Sequence, residues 1–210
     1  KKGIIGFTDG IKTIQNTRVM SRIMNSAYDL NSLIIQHAED FDLAENGMMN
    51  DGIISTKLGL QGIPEVAEKI IIERDLALLD EYRCRYHISQ ISSAKSVAII
   101  KEKKQFLKFS CGVSINNLSL NENDIGDFKT FLKLSPPLRT EVDRLSLVEA
   151  LNKNIIDVIV SDHKPEDEES KRLTFSQAAT GASGIETLLS LSLELFHNGS
   201  VKLETIIQAL

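Results

Sequence analysis

Asp162 and His163 stand directly after Ile155–Val160 in the stretch IIDVIVSDHKP. A short, β-branched, mostly apolar run of this kind reads as a strand covered on both faces. Where a parallel strand ends, at its carboxyl end, is where chemistry collects in β/α folds. An Asp–His pair placed there can bind a metal ion, move a proton or cap the following turn. The arrangement recurs along the chain. Asp9 closes GIIGFTD, His37, Glu39 and Asp40 follow Leu33–Ile35, and His87 through Gln90 end another alternating run. Ser135 through Arg139 follow Phe131–Leu134 in the same way. Strands closed into a barrel would bring these residues to one rim. Imidazoles and carboxylates sharing a rim point to metal-assisted hydrolysis, in which an open-site ion activates water while an Asp shuttles the proton. Each residue also has a plain reading. A lone His after a strand is commonly a hydrogen-bonded structural residue, and Asp9–Gly10 is ordinary turn chemistry. Glu166–Glu169 reads as a solvated loop, and His197 as a cation at a helix end.

The elements that must position them alternate. Ile4–Thr8, Leu33–Ile35, Arg85–Ile91, Phe106–Val113 and Ile155–Val160 read as strands, with Phe131–Leu134 in the corresponding place before Ser135-Pro136-Pro137. Between them, Asn16 can cap a helix to about Leu30 with Val19, Met20, Ile23 and Met24 on one face. A loop with a short helical stretch is expected through Asn46–Asn50. Pro64 opens a helix over Glu65–Glu81 with Val66, Ile70, Leu76 and Leu79 at helical spacing. Ser92-Ser93 can cap Ala94–Lys104, and Thr140 a helix to about Asn152. Helices over about Gly184–His197 and Leu203–Leu210 close the chain. Strand–helix repeated about six times with short links means parallel β/α architecture. A complete eight-fold barrel takes roughly 250 residues, so the reading is one partial (β/α)8 TIM-type barrel domain over residues 1–210 with its first strands absent. A doubly wound open sheet is the alternative, although no Gly-rich phosphate loop follows any strand.

Composition narrows the function classes. A net charge of −5 leaves no basic footprint for nucleic acid. No apolar run approaches the ~20 residues of a membrane span, and no signal peptide is visible, so the expected compartment is the cytoplasm. Cys84 and Cys111 are too few for a disulfide framework and read as buried reduced thiols. The chain begins with Lys rather than Met, inside a strand-like run, which suggests a piece of a longer protein.

The ordered series GFTDG, HAED, GMMNDG, IIERDLALL, YHISQISS, SPPLRTEVDRLSLVEAL, IIDVIVSDHKP and TGASGIETLLSLSLELF resembles dihydroorotase of the amidohydrolase superfamily. The match runs in order and spacing along essentially all of the chain. PPLR and HAED fit it better than they fit another cyclic-amide hydrolase such as a hydantoinase. The resemblance implies a metal-containing β/α barrel that interconverts carbamoyl aspartate and dihydroorotate in pyrimidine synthesis, with one or two zinc ions. It also implies a His-x-His metal pair upstream of Lys1. Carried over by position, it makes His37 a metal ligand and Asp162 the catalytic aspartate that also touches metal, with Asp9 a further candidate ligand. Arg139, His163, Gly181 and Gly184 fall on substrate-side positions. Several positions depart from the family. Gly10 replaces a bridging carboxylate, Gln90 a metal-binding His, and Asn116-Asn117 a His-His pair. Ser135 replaces a substrate-contacting Asn and Glu166 a His. Glycine offers no side-chain ligand and glutamine is a poor neutral substitute for imidazole. Two functions are therefore expected in competition. One is an active dihydroorotase, a homo-oligomer using a reduced metal site. The other is a catalytically silent homologue serving as structural partner of aspartate carbamoyltransferase.

Overall fold

The computed structural model describes residues 3–210. In chain order it runs β1 Gly6–Phe7, α1 Thr17–Asp29, β2 Leu33–Gln36, α2 Phe41–Ala44, β3 Met49–Asn50, α3 Ile53–Leu58 and β4 Gly62–Ile63. There follow α4 Glu65–Tyr82, β5 Arg85–Ile88, α5 Ala94–Lys103, β6 Ser110–Ser114, α6 Ile115–Ser119, α7 Glu141–Asn152 and β7 Val158–Val160. The helices α8 Glu168–Lys171, α9 Leu188–His197 and α10 Leu203–Ala209 complete it. Strands β1, β2, β5, β6 and β7 make one parallel sheet in that spatial order. The order follows the chain without reversal. A doubly wound sheet would reverse at a switch point, so this is an arc of a singly wound β/α barrel. Because every pairing is parallel, all five carboxyl ends open on one rim.

The helices coat the outside in sequence, α1 against α4, α4 against α5 and α5 against α7. Their inner faces bury Met20, Met24, Ile72, Leu76 and Leu79 against Tyr86, Ile88, Cys111 and Val113 of the sheet. Caps place the helix starts as the sequence predicts. Asn16 accepts from Val19 N at 3.1 Å, and Ser93 from Ser96 N at 3.2 Å. Thr140 forms a capping box with Asp143, whose second oxygen also accepts from Ala94 N at 2.8 Å. One carboxylate thus holds the starts of α5 and α7 together.

Some expectations change in detail. The run from Gly3 is not a buried strand: only Gly6–Phe7 pair, on the sheet edge, and Ile5 is 81 % exposed. On α1 and α4 the expected Met20, Met24, Leu76 and Leu79 are buried, but Val19, Val66 and Ile70 are exposed, and Ala67, Ile71 and Ile72 take their place in the core. The strands β6 and β7 begin later than their apolar runs. The N–H groups of Phe106 and Leu107 close the end of α5 on Lys103 O, and those of Ile155 and Ile156 turn back to Ala150 O. Finally, Phe131–Leu134 adds no sixth strand but enters a 3-10 turn, Thr130–Leu132. The Asn46–Asn50 stretch instead ends in β3, which pairs with β4 as a small flap over the rim. Its own core of Met49, Ile125 and Phe175 is separate from the main one.

Candidate functional site at the carboxyl-end rim

His37 follows the last residue of β2 and is buried. Thr13 Oγ1 donates to its carbonyl at 2.7 Å, and its Nε2 lies 3.4 Å from Ser135 Oγ. Burial lowers its pKa and so favours the neutral imidazole, while the charge of Glu68 opposes this. Asp162 lies two residues beyond β7 with φ 50°, a left-handed conformation that Asp tolerates better than most residues. Gln90 Nε2 donates to its Oδ1 at 3.0 Å. Burial raises the Asp162 pKa, while hydrogen bonds from Gln90 and Ser114 and the charge of Lys164 pull it back down. The ends of β2, β5 and β7 thus supply an imidazole, an amide and a carboxyl of raised pKa to one rim. His87 does not join them. Its Nδ1 lies 2.7 Å from Ser110 Oγ, on the far half of the strands beside Asp157 and Lys104. Asp9 is exposed beside Gly10, and Asn116 and Asn117 begin α6.

Arg139 is buried, and two of its guanidinium nitrogens donate within the protein. Its Nε donates to Ser92 Oγ at 3.1 Å and its Nη1 to Asn50 Oδ1 at 2.9 Å and to Ile63 O. Ser92 and Ser93 in turn donate through backbone and hydroxyl groups to the Glu68 carboxylate. Asn50 donates to Glu122 at 2.6 Å, and Glu122 N donates to Arg139 O at 2.8 Å. This buried network ties the flap to α4 and to the ends of β5 and α7. Arg139 is 3 % exposed, which makes it a strut of the rim rather than a free cation in it. Sequence reading passed over Glu68, Asn50 and Glu122. A signal existed for Glu68, which sits at helical spacing from Ile71 and Ile72 on the buried face of α4.

The segment after β7 is held by a second loop. His163 forms a parallel bridge with Ala182, and Lys164 N donates to Ala182 O at 2.9 Å. His163 Nδ1 accepts from the N–H groups of Gly184 and Ile185, both at 3.2 Å, so its proton is on Nε2. Gly184 permits this approach, since a Cβ there would stand 2.2 Å from Ser161 O. Underneath, Lys133 and Lys171 donate to the carbonyls of residues 176, 178, 179 and 181, fixing the loop's course.

A dihydro-orotase-like family model matches residues 1–96. The dihydroorotase of Ehrlichia chaffeensis is 44% identical over 99% of this chain and 47% of its own length. That of Desulforapulum autotrophicum is 37% identical over 98% of this chain and 49% of its own length. The chain is thus similar to dihydroorotases along nearly its whole length. It spans about half the length of the curated relatives it matches. Solved structures agree on the fold. An L-hydantoinase from Arthrobacter aurescens superposes with TM-score 0.80 at 22% identity, over 98% of this chain and 48% of that one. A dihydroorotase from Saccharomyces cerevisiae in complex with 5-fluoroorotic acid gives TM-score 0.74 at 14% identity, over 99% and 58%. Both likenesses place the arc within a TIM-type barrel.

The dihydroorotase-like resemblance implies zinc, and the side chains can be tested against it. A catalytic zinc takes three protein ligands and keeps one position open. Among the described residues, no three His, Cys, Asp or Glu side chains group as an ion requires. The donor set explains why. Gln90 gives Asp162 an N–H instead of a second imidazole, and Gly10 carries no side chain. His37 and Asp162 are left as two candidate ligands, and by themselves they do not fit the ion. The thiols do not help: Cys84 and Cys111 are buried and unpaired, and burial pushes Cys111 up to about 12.

Proposed function

We propose that this chain builds the carboxyl-end rim of a cyclic amidohydrolase that interconverts N-carbamoyl-L-aspartate and dihydroorotate, a step of pyrimidine synthesis. The observation that carries the reading is the placement of Asp162, a carboxyl with raised pKa, at the end of β7 on the rim that His37 shares. Its chemistry follows from that placement. In the hydrolytic direction Asp162 takes a proton from the attacking water and returns it to the departing ring nitrogen. In cyclisation it moves the proton the opposite way. His37, favoured as neutral imidazole, accepts or donates a hydrogen bond at the same rim.

A second reading has its own observation. Gln90 on Asp162 and Ser135 beside His37 put neutral partners on the two chemical groups. That would suit a silent homologue acting as structural partner of aspartate carbamoyltransferase. The deciding experiment is carbamoyl-aspartate cyclisation by the intact protein, with elemental analysis on the same preparation. Turnover abolished by Asp162→Asn supports the enzyme. A well-folded protein without turnover refutes it and turns attention to binding of the transferase.

A further inference from the structure

A cavity of about 450 Å³ opens beside the rim, between the flap and the segment after β7. That volume suits a small metabolite, since ligand sites commonly run from roughly 300 to 1,000 Å³. Ser135 lines it, and because Ser135 Oγ is 3.4 Å from His37 Nε2 the cavity reaches the rim. Its charged groups are Lys12, Glu39, Lys164 and Glu166, with apolar side chains such as Leu134 on the remaining wall.

Lys164 is the best placed of the four. It lies two residues beyond Asp162, close enough for its charge to act on that carboxyl. Its backbone is fixed by the bond to Ala182. Its stem crosses Gly181, where φ is 137° and an added Cβ would stand 2.9 Å from both Cγ and Cδ. A glycine is therefore required for the lysine to lie as it does. Its ammonium pairs with Glu166 loosely, at 3.5 Å, with both side chains partly exposed. Such pairs contribute little and yield readily to a better-placed anion. Lys12 lines the same cavity and brings a second ammonium group to it.

We propose that Lys164, with Lys12 lining the same cavity, recognises a carboxylate of the substrate and makes the site select a dicarboxylic over a monocarboxylic ureido acid. This rests on the cyclic-amidohydrolase reading above. It gives Lys164 and Gly181 linked roles: the glycine seats the stem and the lysine supplies the charge.

The test is equilibrium binding by titration calorimetry on the intact protein. The probes are N-carbamoyl-L-aspartate and N-carbamoyl-β-alanine, which lacks one carboxylate. Wild type is expected to favour the dianion by about tenfold, the scale of one charge-assisted contact. Lys164→Met keeps the stem over Gly181 and removes the charge, so the preference should fall to about twofold or less. Glu166→Gln frees the ammonium and should tighten binding of the dianion by roughly threefold. An undiminished preference in Lys164→Met, or weaker binding in Glu166→Gln, overturns the assignment while leaving the amidohydrolase reading standing. Wild type that binds neither probe and turns over neither overturns both.

Discussion

Replacing Arg139 with leucine separates a strut from a substrate cation. The guanidinium joins Ser92, Asn50 and the carbonyl of Ile63. After its loss Ser92 still has Glu68, and Ile63 O still accepts from Asp51 N at 3.1 Å. Asn50 Oδ1 loses the partner it has, and Glu39 loses the positive charge that holds its pKa down. Removing one member of a buried charged network costs about 3–5 kcal/mol. Arg139→Lys keeps the charge but cannot fork toward three acceptors, so roughly half that loss is expected, near the value of one or two hydrogen bonds to a charged group. For a domain of this size the leucine variant should melt on the order of 10 °C lower. Urea unfolding at constant slope measures the difference. A loss below about 1 kcal/mol, together with a raised KM, would refute the strut and restore Arg139 to the substrate.

Three other outcomes are expected. Asp162→Asn should lower turnover at least ~100-fold through loss of the proton carrier while leaving the unfolding midpoint nearly unchanged; a tenfold effect or less would remove Asp162 from the chemistry. Glu39 has a pKa raised chiefly by burial, so the folded protein holds that proton to higher pH than the unfolded chain does. Its stabilising contribution is full below the unfolded value of about 4.3 and is lost as pH rises through the folded pKa. Glu39→Gln should therefore gain stability relative to wild type on going from acid to neutral pH in parallel denaturation curves, and a pH-independent difference would contradict the burial argument. Gly184→Ala places a Cβ 2.2 Å from Ser161 O, and overpacking of this kind costs about 1–3 kcal/mol. Proton NMR of His163 should also show its ring environment altered; an unperturbed ring and midpoint would mean the loop has room to spare.

The sequence by itself determined the class of fold and the order of its parts. Apolar runs ending in Asp162-His163 and His37-Ala38-Glu39 marked parallel strands, and Asn16, Ser93 and Thr140 marked helix starts, because capping and strand patterning are local physics. What the sequence could not decide was direction and partnership. Periodicity named Val66 and Ile70 as apolar without saying that α4 turns them outward, since the buried face is chosen by the sheet it meets. Strand ends at β6 and β7 were trimmed by helix carbonyls that compete for the same N–H groups. Arg139 read as a cation near the rim, and only long-range contacts with Asn50, Ile63 and Ser92 made it a strut. Gln90 and Asp162 are 72 residues apart in the chain. No local pattern could pair them; the parallel sheet does, by bringing the ends of β5 and β7 to one rim.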